Sequence, residues 1–589
     1  MQDGKIAALI LAAGYSSRMG EFKPLLPLGR STVVGEAVER FRRAGIADVR
    51  VILGHRAGEM EPVIDALRAR KIVNEEFQRG MYSSILAGVR SLEPEIEAFF
   101  VLPVDTPLIK PATIAALAEA RRKSRAAIVY PRFEGLRGHP PIISRKLCTQ
   151  LPEECPGGLA AFLARHEDQA LDLDVIDQSI VMNCNTRQDY LRLKAYASRG
   201  EDIPTERECL EILRNRNGSE TLIAHCRLVA RVAKMTAVFL KLSGLALDLD
   251  LIEAGGLLHD MAKGEPDHSA AGAQLLEKMG YSRVACIVAS HTDIELKNGH
   301  PPDESDVVHI ADKFVRGNML VSLEERFIGP LQKFSGRPEA LRAVEKRLRN
   351  ARAIQKKLES ILATPLETIV RKYGRSMRTG SPGSRNIYLA RHGAIGDPGD
   401  VKRYIGHSDL PLNEEGLRQA EALAEKLRGV SFSAIFCSDL RRSSDTAKMV
   451  ANLQGLDISA TSDFREISLG QWEGLAFEAV RRQFPAQYEE RGRDIVHFRP
   501  PGGESFLDCA RRAVPAFYEA IYSTRGDILI VGHAGVNRIL LCQMLGKPMS
   551  ELFDIEQDYC CVNRIGCSDF SCELQSCNEN IFGMREGPA

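Results

Sequence analysis

The distribution of strand-like segments along the chain is the feature that most constrains its fold. Short apolar runs alternate with helix-like segments from residue 5 to about 190, almost vanish from about 205 to 373, and return near 385. Alternation predicts a mostly parallel sheet covered by helices, whereas unbroken helical periodicity predicts an all-α segment. One hydrophobic core rarely organises more than about 300 residues, so a chain of 589 residues should form several domains.

We therefore expect a multidomain protein with three folded parts. Residues 1–200 should form an α/β, Rossmann-like domain, residues 205–375 an all-α domain, and residues 385–589 a second α/β domain built as a three-layer sandwich. The stretch 376–384 is rich in Ser and Gly and lacks periodicity, so we expect it to be a linker. The three parts do not resemble one another, which argues against an internal repeat.

Charge and cysteine content restrict the partners and the compartment. Lys plus Arg equals Asp plus Glu at 78 each, which gives no electrostatic basis for binding nucleic acid or an acidic membrane. No apolar run approaches the roughly 18 to 20 residues of a membrane span, and the N-terminus lacks a signal sequence, so we expect a cytoplasmic protein. Apart from the adjacent Cys560 and Cys561, the 14 cysteines stand singly, and none has CxxC spacing, which favours reduced thiols over disulfides or a metal cluster.

A loop rich in glycine and serine, "LAAGYSSRMGEFKPLLPLG", follows the first apolar strand. Its backbone N–H groups can wrap a triphosphate, Gly14 and Gly20 permit close approach and positive φ, and Arg18 and Lys23 neutralise phosphate charge. Asp105 ends the strand of "FFVLPVDTPLI", where a carboxylate at the carboxyl edge of the sheet can hold Mg²⁺ against phosphates. These residues predict a nucleotide site.

Together with "RGMYSSILAGV", "RGHPPII" and "NCNTRQDY", these motifs closely resemble the MobA-like nucleotidyltransferases over about residues 5 to 195. The nearest group is the molybdenum cofactor cytidylyltransferases. The resemblance implies that Gly14, Arg18 and Lys23 bind the nucleotide and that Asp105 binds Mg²⁺. It further implies that CMP is transferred from CTP to molybdopterin cofactor with release of pyrophosphate, and that molybdoenzymes accept the finished cofactor.

Three further positions refine this expectation. Ala13 stands where guanylyl-transferring members usually carry a second glycine, which favours CTP over GTP; another NTP remains the alternative. Asn183 and Asn185 stand where some relatives carry aspartates, so a second carboxylate ligand is left open. His139, on a Gly-Pro loop, is placed to meet a second substrate.

The middle segment contains side chains that can ligate a metal. A lone inward histidine is more often a satisfied core residue than a ligand, but here several helical regions each supply one or two ligand types. Six nitrogen and oxygen ligands would hold a divalent metal and leave room for water. The six residues are His225, His259, Asp260, His268, His291 and Asp312.

The order of these residues, with Lys263 in "LLHDMAK", resembles the HD-domain metal-dependent phosphohydrolases over about residues 218 to 330. The resemblance implies a metal such as Mn²⁺, Fe²⁺ or Mg²⁺ on the first histidine, the His-Asp pair and the last aspartate, with His268 and His291 suggesting a second metal. Lys263 would steady the charge of a phosphate in a nucleotide or other small ester. The alternative is an HD domain that senses a ligand without turnover. We assign His300 and His309 to the surface or to a second layer.

Two strands of the C-terminal segment end in a histidine, in "NIYLARHG" and "DILIVGHAGVNRIL". If these strands are parallel neighbours, His392 and His533 project into one crevice. Arg391, Arg442 and Glu466 would complete a site in which a histidine attacks phosphorus, guanidinium groups bind the oxygens, and a carboxyl group protonates the leaving oxygen.

With "SDLRRSSDTA", "WEG" and "PGGES", this constellation resembles the histidine phosphatase superfamily, especially α-ribazole phosphatases, over about residues 385 to 585. The resemblance implies that His392 is the phosphorylated nucleophile and Glu466 the proton donor, and that no metal or other cofactor is required. The implied phosphate pocket consists of Arg391, Arg442 and His533. Ser443 stands where alanine is common.

All three predicted sites handle phosphates, so we expect a multifunctional enzyme: a nucleotidyltransferase, a phosphohydrolase and a phosphatase of small esters. An alternative is cobalamin nucleotide-loop assembly, because MobA-like guanylyltransferases and α-ribazole phosphatases both serve that route. The motifs "GMYSSI" and "RGHPP" favour molybdenum.

Overall fold

The computed structural model describes most of the chain in two compact units. The first unit comprises residues up to 218 together with 276–283, and the second comprises 219–275 and residues from 284 onward. The expected linker 376–384 lies outside the described residues. The described residues are 5–16, 19, 21–148, 150–216, 218–296, 299–362, 364–374, 385–396, 401–567 and 572–580.

The first unit is built on a mostly parallel sheet. Its strands are β1 (Lys5–Leu11), β2 (Pro27–Leu28), β3 (Ser31–Thr32), β4 (Asp48–Leu53), β5 (Arg70–Val73), β6 (Ile96–Pro103), β7 (Ile128–Phe133), β8 (Leu136–Arg137), β9 (Ile142–Ser144) and β10 (Ala170–Asp174). Among the described residues the main sheet has the order β10, β7, β9, β6, β1, β4, β5, with β8 beside β7. β1 runs parallel to β4 and β6, whereas β9 runs antiparallel to β6 and β7.

Helices cover both faces of this sheet. They are α1 (Val33–Arg43), α2 (Ala57–Ala66), α3 (Met81–Arg90), α4 (Pro111–Ser124), α5 (Arg145–Cys148), α6 (Gly158–Ala164), α7 (Arg187–Arg199) and α8 (Glu206–Asn215). Along β1, Ile10 packs in one core with Phe41 of α1, and Leu9 packs in a second core with Ile85 of α3. Successive strand residues point to opposite faces, so a strand covered on both sides is apolar throughout.

The first unit extends past the expected boundary at 200–205 and includes α8. Glu208 of α8 is 1% exposed, and one of its carboxylate oxygens lies 2.8 Å from the Nζ of Lys110. The backbone N–H of Gln178 donates to the same carboxylate at 3.0 Å. A buried carboxylate needs such partners, so they hold α8 on the sheet domain.

The middle of the chain is helical. The helices are α9 (Glu220–Leu242), α10 (Leu249–Leu258), α11 (His268–Lys278), α12 (Ser282–Ser290), α13 (Glu304–Lys313), α14 (Leu323–Lys333), α15 (Pro338–Leu362) and α16 (Leu366–Gly374). A side chain at Gly256 of α10 would meet the backbone of Ala230 at 2.6 Å, so glycine permits the close approach of α10 to α9. An antiparallel pair, β11 (Val315–Arg316) and β12 (Met319–Leu320), interrupts the helices; two-residue strands are too short to show alternation.

The C-terminal part contains a second sheet. Its strands are β13 (Arg385–Arg391), β14 (Phe432–Ser438), β15 (Ile458–Thr461), β16 (Asp527–Gly532), β17 (Val562–Cys567) and β18 (Cys572–Glu579). In the described chain the order is β15, β14, β16, β13, β17, β18. β13 is parallel to β16 and antiparallel to β17. This confirms that the strands ending in the two histidines are parallel neighbours.

Helices form a layer on each face of the second sheet. They are α17 (Glu414–Lys426), α18 (Arg441–Gln454), α19 (Phe477–Gln483), α20 (Pro485–Arg493), α21 (Phe506–Ser523) and α22 (Ala534–Leu545). Along β16, Leu529 packs in one core with Leu423 of α17, and Ile530 packs in another with Phe517 of α21. The result is the expected three-layer arrangement.

The core around α21 also contains side chains of the helical part. Met235 and Val238 of α9 and Ile369 of α16 belong to the same buried cluster as Phe517. Arg511 of α21 donates from Nε to the carbonyl of Leu242 at 2.9 Å. The helical part and the C-terminal sheet therefore share one core within the second unit.

Two structural findings concern the remaining expectations. Cys567 and Cys572 form a disulfide across the β17–β18 hairpin, so the expectation of reduced thiols is wrong for this pair: the hairpin register places the two residues opposite each other. None of the other twelve cysteines, all of which lie within the described ranges, forms a disulfide. None of the helices within the described ranges combines the length and apolar character needed to cross a bilayer.

Candidate functional sites

The first candidate site lies where β1 and β6 end side by side. Leu11 pairs with Pro103, so the loop after β1 and the segment carrying Asp105 share one edge of the sheet. Lys23 is 9% exposed; its Nζ lies 3.2 Å from the Oδ1 of Asn185 and 3.8 Å from the Oδ2 of Asp105. The structure thus brings a cation, a carboxylate and an amide oxygen together. Oxygen ligands of this kind suit Mg²⁺.

The glycine loop differs from the prediction in one respect. Gly14 does not adopt a positive φ; among the loop residues that the structure describes, Ser16 does so, with φ of 56°. A Cβ at Gly14 would meet no other atom within 4 Å, so the loop is open to solvent at this position. The Oγ of Ser16 accepts from the backbone N–H of Lys23 at 3.3 Å, closing the loop. Arg18 and Gly20 lie outside the described residues.

The other predicted residues of this site are distributed around the same loops. Ala13 is buried, and its carbonyl accepts from the backbone N–H of His55 at 3.1 Å. His139 is exposed and donates its backbone N–H to the carbonyl of Ile180 at 2.9 Å. Asn183 is exposed and, unlike Asn185, has no recorded contact with Lys23.

The second candidate site is a metal-ligand cluster formed by α9, the end of α10, the start of α11, the end of α12 and α13. The Nε2 atoms of His225 and His259 lie 3.3 Å apart, and those of His268 and His291 lie 3.2 Å apart. Asp260 lies between the two pairs. Its Oδ2 is 3.6 Å from His225 and its Oδ1 is 3.4 Å from His268. One carboxylate therefore serves two histidine pairs.

Asp312 completes the first pair. Its Oδ1 lies 3.4 Å from the Nε2 of His225 and 3.6 Å from that of His259. Burial alone would raise the pKa of Asp312, but Lys313 and the two histidines hold it well below its usual range. The Nζ of Lys313 donates to the other carboxylate oxygen at 2.8 Å. The carboxylate is therefore ionised, as a metal ligand must be.

The backbone orients the histidine rings toward the cluster. The Nδ1 atoms of His225, His259 and His291 pair with the carbonyls of Gly317, Gly256 and Val288 at 2.9, 2.8 and 2.7 Å. A carbonyl fixes the proton on Nδ1, so each Nε2 presents its lone pair to the cluster. The donor set of imidazole nitrogens and ionised carboxylates thus fits one or two divalent metals.

Neighbouring residues occupy supporting positions. Lys263, whose side chain is 56% exposed, donates from Nζ to the Oδ2 of Asp260 at 2.6 Å. His309 is buried behind the cluster and pairs through Nδ1 with the carbonyl of His291 at 2.9 Å, whereas His300 is exposed. Sequence reasoning missed Lys313, because a lysine beside an apolar face is usually solvated.

The third candidate site joins the ends of β13 and β16. The rings of His392 and His533 lie 5.0 Å apart, and both residues are buried. His392 donates from Nδ1 to the carbonyl of Gly393 at 2.7 Å, which leaves Nε2 as its nucleophilic atom. Burial, followed by the charges of Arg391 and Arg442, holds the pKa of His392 well below its usual value, so the imidazole is neutral.

Arg442 organises this site. Its Nη1 and Nη2 donate to the carbonyls of Ser408 and Gly406 at 2.6 and 2.7 Å, and its Nε faces the Nδ1 of His533 at 3.3 Å. Because Nδ1 of His533 accepts, the proton of that ring lies on Nε2, which is buried and has no hydrogen-bond partner among the described residues. A guanidinium has five N–H donors, so Arg442 keeps two for an oxyanion.

The predicted acid and the second arginine flank the histidines. Glu466 accepts from the backbone N–H of Ile467 at 3.0 Å and of Gly535, near the start of α22, at 2.9 Å. Arg391 donates from Nη1 to the carbonyl of Gln557 at 2.6 Å. All five predicted residues thus border one crevice.

Ser443 has a structural role that could not be predicted from the sequence. Its hydroxyl accepts from the backbone N–H of Ser438 at 3.1 Å and donates to the carbonyl of Val531 at 2.7 Å, tying β14 to β16 beside the site. A serine within a helix, here followed by Ser444, gives no indication of such a bond in the sequence.

Comparison with known proteins assigns the C-terminal third of the chain to a family. Residues 387–580 match the model of the histidine phosphatase superfamily (branch 1). An adenosylcobalamin/alpha-ribazole phosphatase of Salmonella typhimurium is 30% identical over 190 residues, which are 31% of this chain and 92% of that protein. The chain belongs to the histidine phosphatase superfamily. The phosphatase of the same name from Escherichia coli is 28% identical over 200 residues, covering 34% of this chain and 98% of that protein.

Two other domains accompany the histidine phosphatase. Residues 8–170 match the MobA-like NTP transferase domain, and residues 222–317 match the HD domain. A solved structure of the α-ribazole phosphatase from Shigella flexneri is similar with 27% identity and a TM-score of 0.32, covering 34% of this chain and 99% of that one. The three domains make this chain a multifunctional phosphate-handling protein.

Proposed function

We propose that the N-terminal domain transfers a nucleotidyl group, CMP from CTP, to molybdopterin cofactor. The observation that carries this proposal is the convergence of Lys23, Asp105 and Asn185 at the carboxyl edge of the sheet. A substrate phosphate oxygen attacks the α-phosphorus of CTP, the bond to the bridging oxygen breaks, and pyrophosphate leaves. Lys23 would neutralise the phosphates and Asp105 would hold Mg²⁺, so catalysis would come from positioning and charge neutralisation.

For the HD domain we propose metal-dependent hydrolysis of a small phosphate ester or nucleotide. His225, His259, Asp260 and Asp312 would hold one divalent metal, and His268 and His291 a second that shares Asp260. A bound metal lowers the pKa of its water and polarises a phosphate oxygen. The chain's own contribution is to fix the ligand geometry through backbone carbonyls and, through Lys263, to place a cation at the mouth of the site.

For the C-terminal domain we propose hydrolysis through a phosphohistidine. The Nε2 of His392 attacks phosphorus, the bond from phosphorus to the leaving oxygen breaks, and Glu466 gives that oxygen a proton. Water then attacks the phosphohistidine, Glu466 takes a proton back, and the P–N bond breaks to release phosphate. Arg391, Arg442 and the Nε2–H of His533 bind the non-bridging oxygens.

Pyrophosphate release tests the nucleotidyl-transfer proposal. The purified chain is incubated with Mg²⁺, molybdopterin cofactor and CTP, GTP or ATP, with Lys23→Ala as the control variant. We expect release that is specific for CTP, depends on the cofactor, and is lost in the variant. Equal release without molybdopterin would refute the proposed acceptor.

The second candidate function is cobalamin nucleotide-loop assembly, and the relatives named adenosylcobalamin/alpha-ribazole phosphatase favour it. In that case the N-terminal domain transfers GMP and the C-terminal domain hydrolyses α-ribazole phosphate. Turnover of GTP together with α-ribazole phosphate would support this candidate, and the absence of both would eliminate it.

We further propose that the three activities belong to separate segments, 1–200, 205–375 and 385–589, and act in the cytoplasm. The alternative for the HD domain is a module that senses a ligand without turnover. Metal analysis, together with assays on a panel of phosphodiesters, distinguishes such a sensor from a hydrolase. Bound metal with turnover eliminates the sensor; ligand-dependent change in the other two activities without turnover supports it.

A further inference from the structure

Tyr559 lies against the active-site arginine of the histidine phosphatase domain, a position to which neither motif nor resemblance assigns a role. The guanidinium carbon of Arg391 lies 3.8 Å from the centre of the Tyr559 ring. The same ring lies 5.8 Å from the ring of His392. The tyrosine is half-buried, so it stands at the mouth of the crevice rather than behind it.

The segment that carries Tyr559 also holds Arg391 from a second direction. The carbonyl of Gln557 accepts from the Nη1 of Arg391, and the backbone N–H of Arg391 donates to the carbonyl of Cys561 at 3.2 Å. The backbone N–H of Cys560 donates to the carbonyl of His392 at 3.3 Å. Residues 557–561 therefore follow the nucleophile strand closely.

A buried amide network fixes this segment. The side chain of Gln557 exchanges hydrogen bonds with Asn563 of β17 at 2.8 and 2.9 Å and accepts from Asn537 of α22 at 3.2 Å. Asn563 also donates to the carbonyl of Leu389 on β13 at 2.9 Å. All three amides are at most 4% exposed. The Oδ1 of Asn537 has no partner among the described residues, but the buried amides of Gln557 and Asn563 bond to each other in both directions. Such reciprocal bonds rigidify their surroundings, so the Gln557 carbonyl is a fixed anchor.

Arg391 needs such restraint because its hydrogen bonds within the described chain are few. Its Nε is buried and has no partner there, and its guanidinium donates one hydrogen bond to a described residue, the carbonyl of Gln557. A guanidinium held by one hydrogen bond can rotate about that bond. A ring stacked at 3.8 Å removes this freedom and attracts the cation through its π face.

We propose that Tyr559 is a positioning residue for Arg391: its ring holds the guanidinium in the plane in which it binds a phosphoryl group. This inference rests on the proposed phosphatase function. Substitutions that remove the ring should weaken binding of every tetrahedral oxyanion, whatever the leaving group, because they act on Arg391 and not on the rest of the substrate.

Orthovanadate binding, measured by calorimetry on the full-length chain, tests the proposal without requiring turnover. We expect Tyr559→Leu to weaken binding about fivefold to thirtyfold, the value of a partly desolvated cation–π contact, and Tyr559→Phe to stay within about twofold of wild type. The kcat/KM for p-nitrophenyl phosphate should fall by the same factor. Tyr388→Leu serves as the control, for which we expect unchanged affinity. It is the same tyrosine-to-leucine change, made on β13 at the face opposite to the side chain of Arg391.

A double-mutant cycle decides whether Tyr559 acts through Arg391. In an Arg391→Ala background, Tyr559→Leu should cause no further loss of vanadate affinity. An equal loss in that background, or equal affinity of Tyr559→Leu and wild type, would overturn the proposal while leaving the phosphatase intact. If the wild-type chain neither binds vanadate nor hydrolyses the ester, the phosphatase function itself fails and the positioning proposal fails with it.

Discussion

Replacing Asp260 by asparagine should remove both metals from the HD domain at once. Each oxygen of this carboxylate faces a different histidine pair, at 3.6 Å from His225 and 3.4 Å from His268. The substitution keeps the shape of the side chain and deletes the shared negative charge. His268→Ala, in contrast, removes a ligand of the second pair only.

The magnitude follows from the charge that is lost. Two unit charges about 4 Å apart interact with about 4 kcal/mol at an effective dielectric constant of about 20, and a divalent ion doubles this value. Each metal should therefore bind at least about 1,000-fold more weakly in Asp260→Asn. Asp306→Asn is a matched control. Asp306 is a buried carboxyl on the same helix as Asp312, but its Oδ2 lies 3.4 Å from the Nζ of Lys357 and not in the metal cluster.

Elemental analysis after dialysis against micromolar metal provides the assay. In chains that also carry Asp105→Asn, so that only the HD domain holds metal, we expect about two ions per chain with the intact cluster and with Asp306→Asn, about one with His268→Ala, and none with Asp260→Asn. Retention of one tightly bound ion in Asp260→Asn would refute the bridging arrangement, because one histidine pair would then suffice without the carboxylate.

Three further predictions concern the phosphatase part. Burial and two arginines hold the pKa of His392 well below its ordinary 6.5. The kcat/KM for p-nitrophenyl phosphate should therefore show no loss from His392 protonation as the pH falls through 6.5. A decline centred at that pH, which substitutions at other residues do not abolish, would contradict this prediction. Phe517→Ala should lower the free energy of unfolding by about 3–5 kcal/mol. Because the helical part and the C-terminal sheet share this core, it should also lower the temperature at which the HD domain loses metal. Separate unfolding transitions in scanning calorimetry with metal analysis would contradict a shared core. Ser443→Ala leaves the carbonyl of Val531 without its donor and should lower the free energy of urea unfolding by about 1–3 kcal/mol, and an unchanged value would contradict the bond's contribution.

The order of chemical groups along the chain was enough to predict which residues of the HD and phosphatase sites converge. His392 and His533 could be paired because parallel strands end at one edge, and the order of the six metal ligands matches a known constellation. Such predictions succeed where each residue is tied to a regular element whose ends are visible in the sequence.

Contacts between irregular segments could not be predicted. The bond from Lys23 to Asn185 joins loops 162 residues apart, and it depends on the order of strands in the sheet. Gly14 suggested a positive φ, whereas Ser16, whose hydroxyl accepts from the backbone N–H of Lys23, is the described loop residue that adopts it. Tyr559 belongs to no motif, and only the pairing of β13 with β17 brings it to Arg391.

The central claim is that one chain contains three independent sites. The most direct test measures all three activities in each of three variants. Lys23→Ala, Asp260→Asn and His392→Ala are each measured for cofactor-dependent pyrophosphate release from CTP, metal-dependent hydrolysis of a phosphodiester panel, and hydrolysis of p-nitrophenyl phosphate. We predict that each variant loses its own activity by at least about 100-fold and keeps the other two within about threefold. A variant that abolishes all three activities, or a Lys23→Ala protein that still releases pyrophosphate, would contradict this assignment.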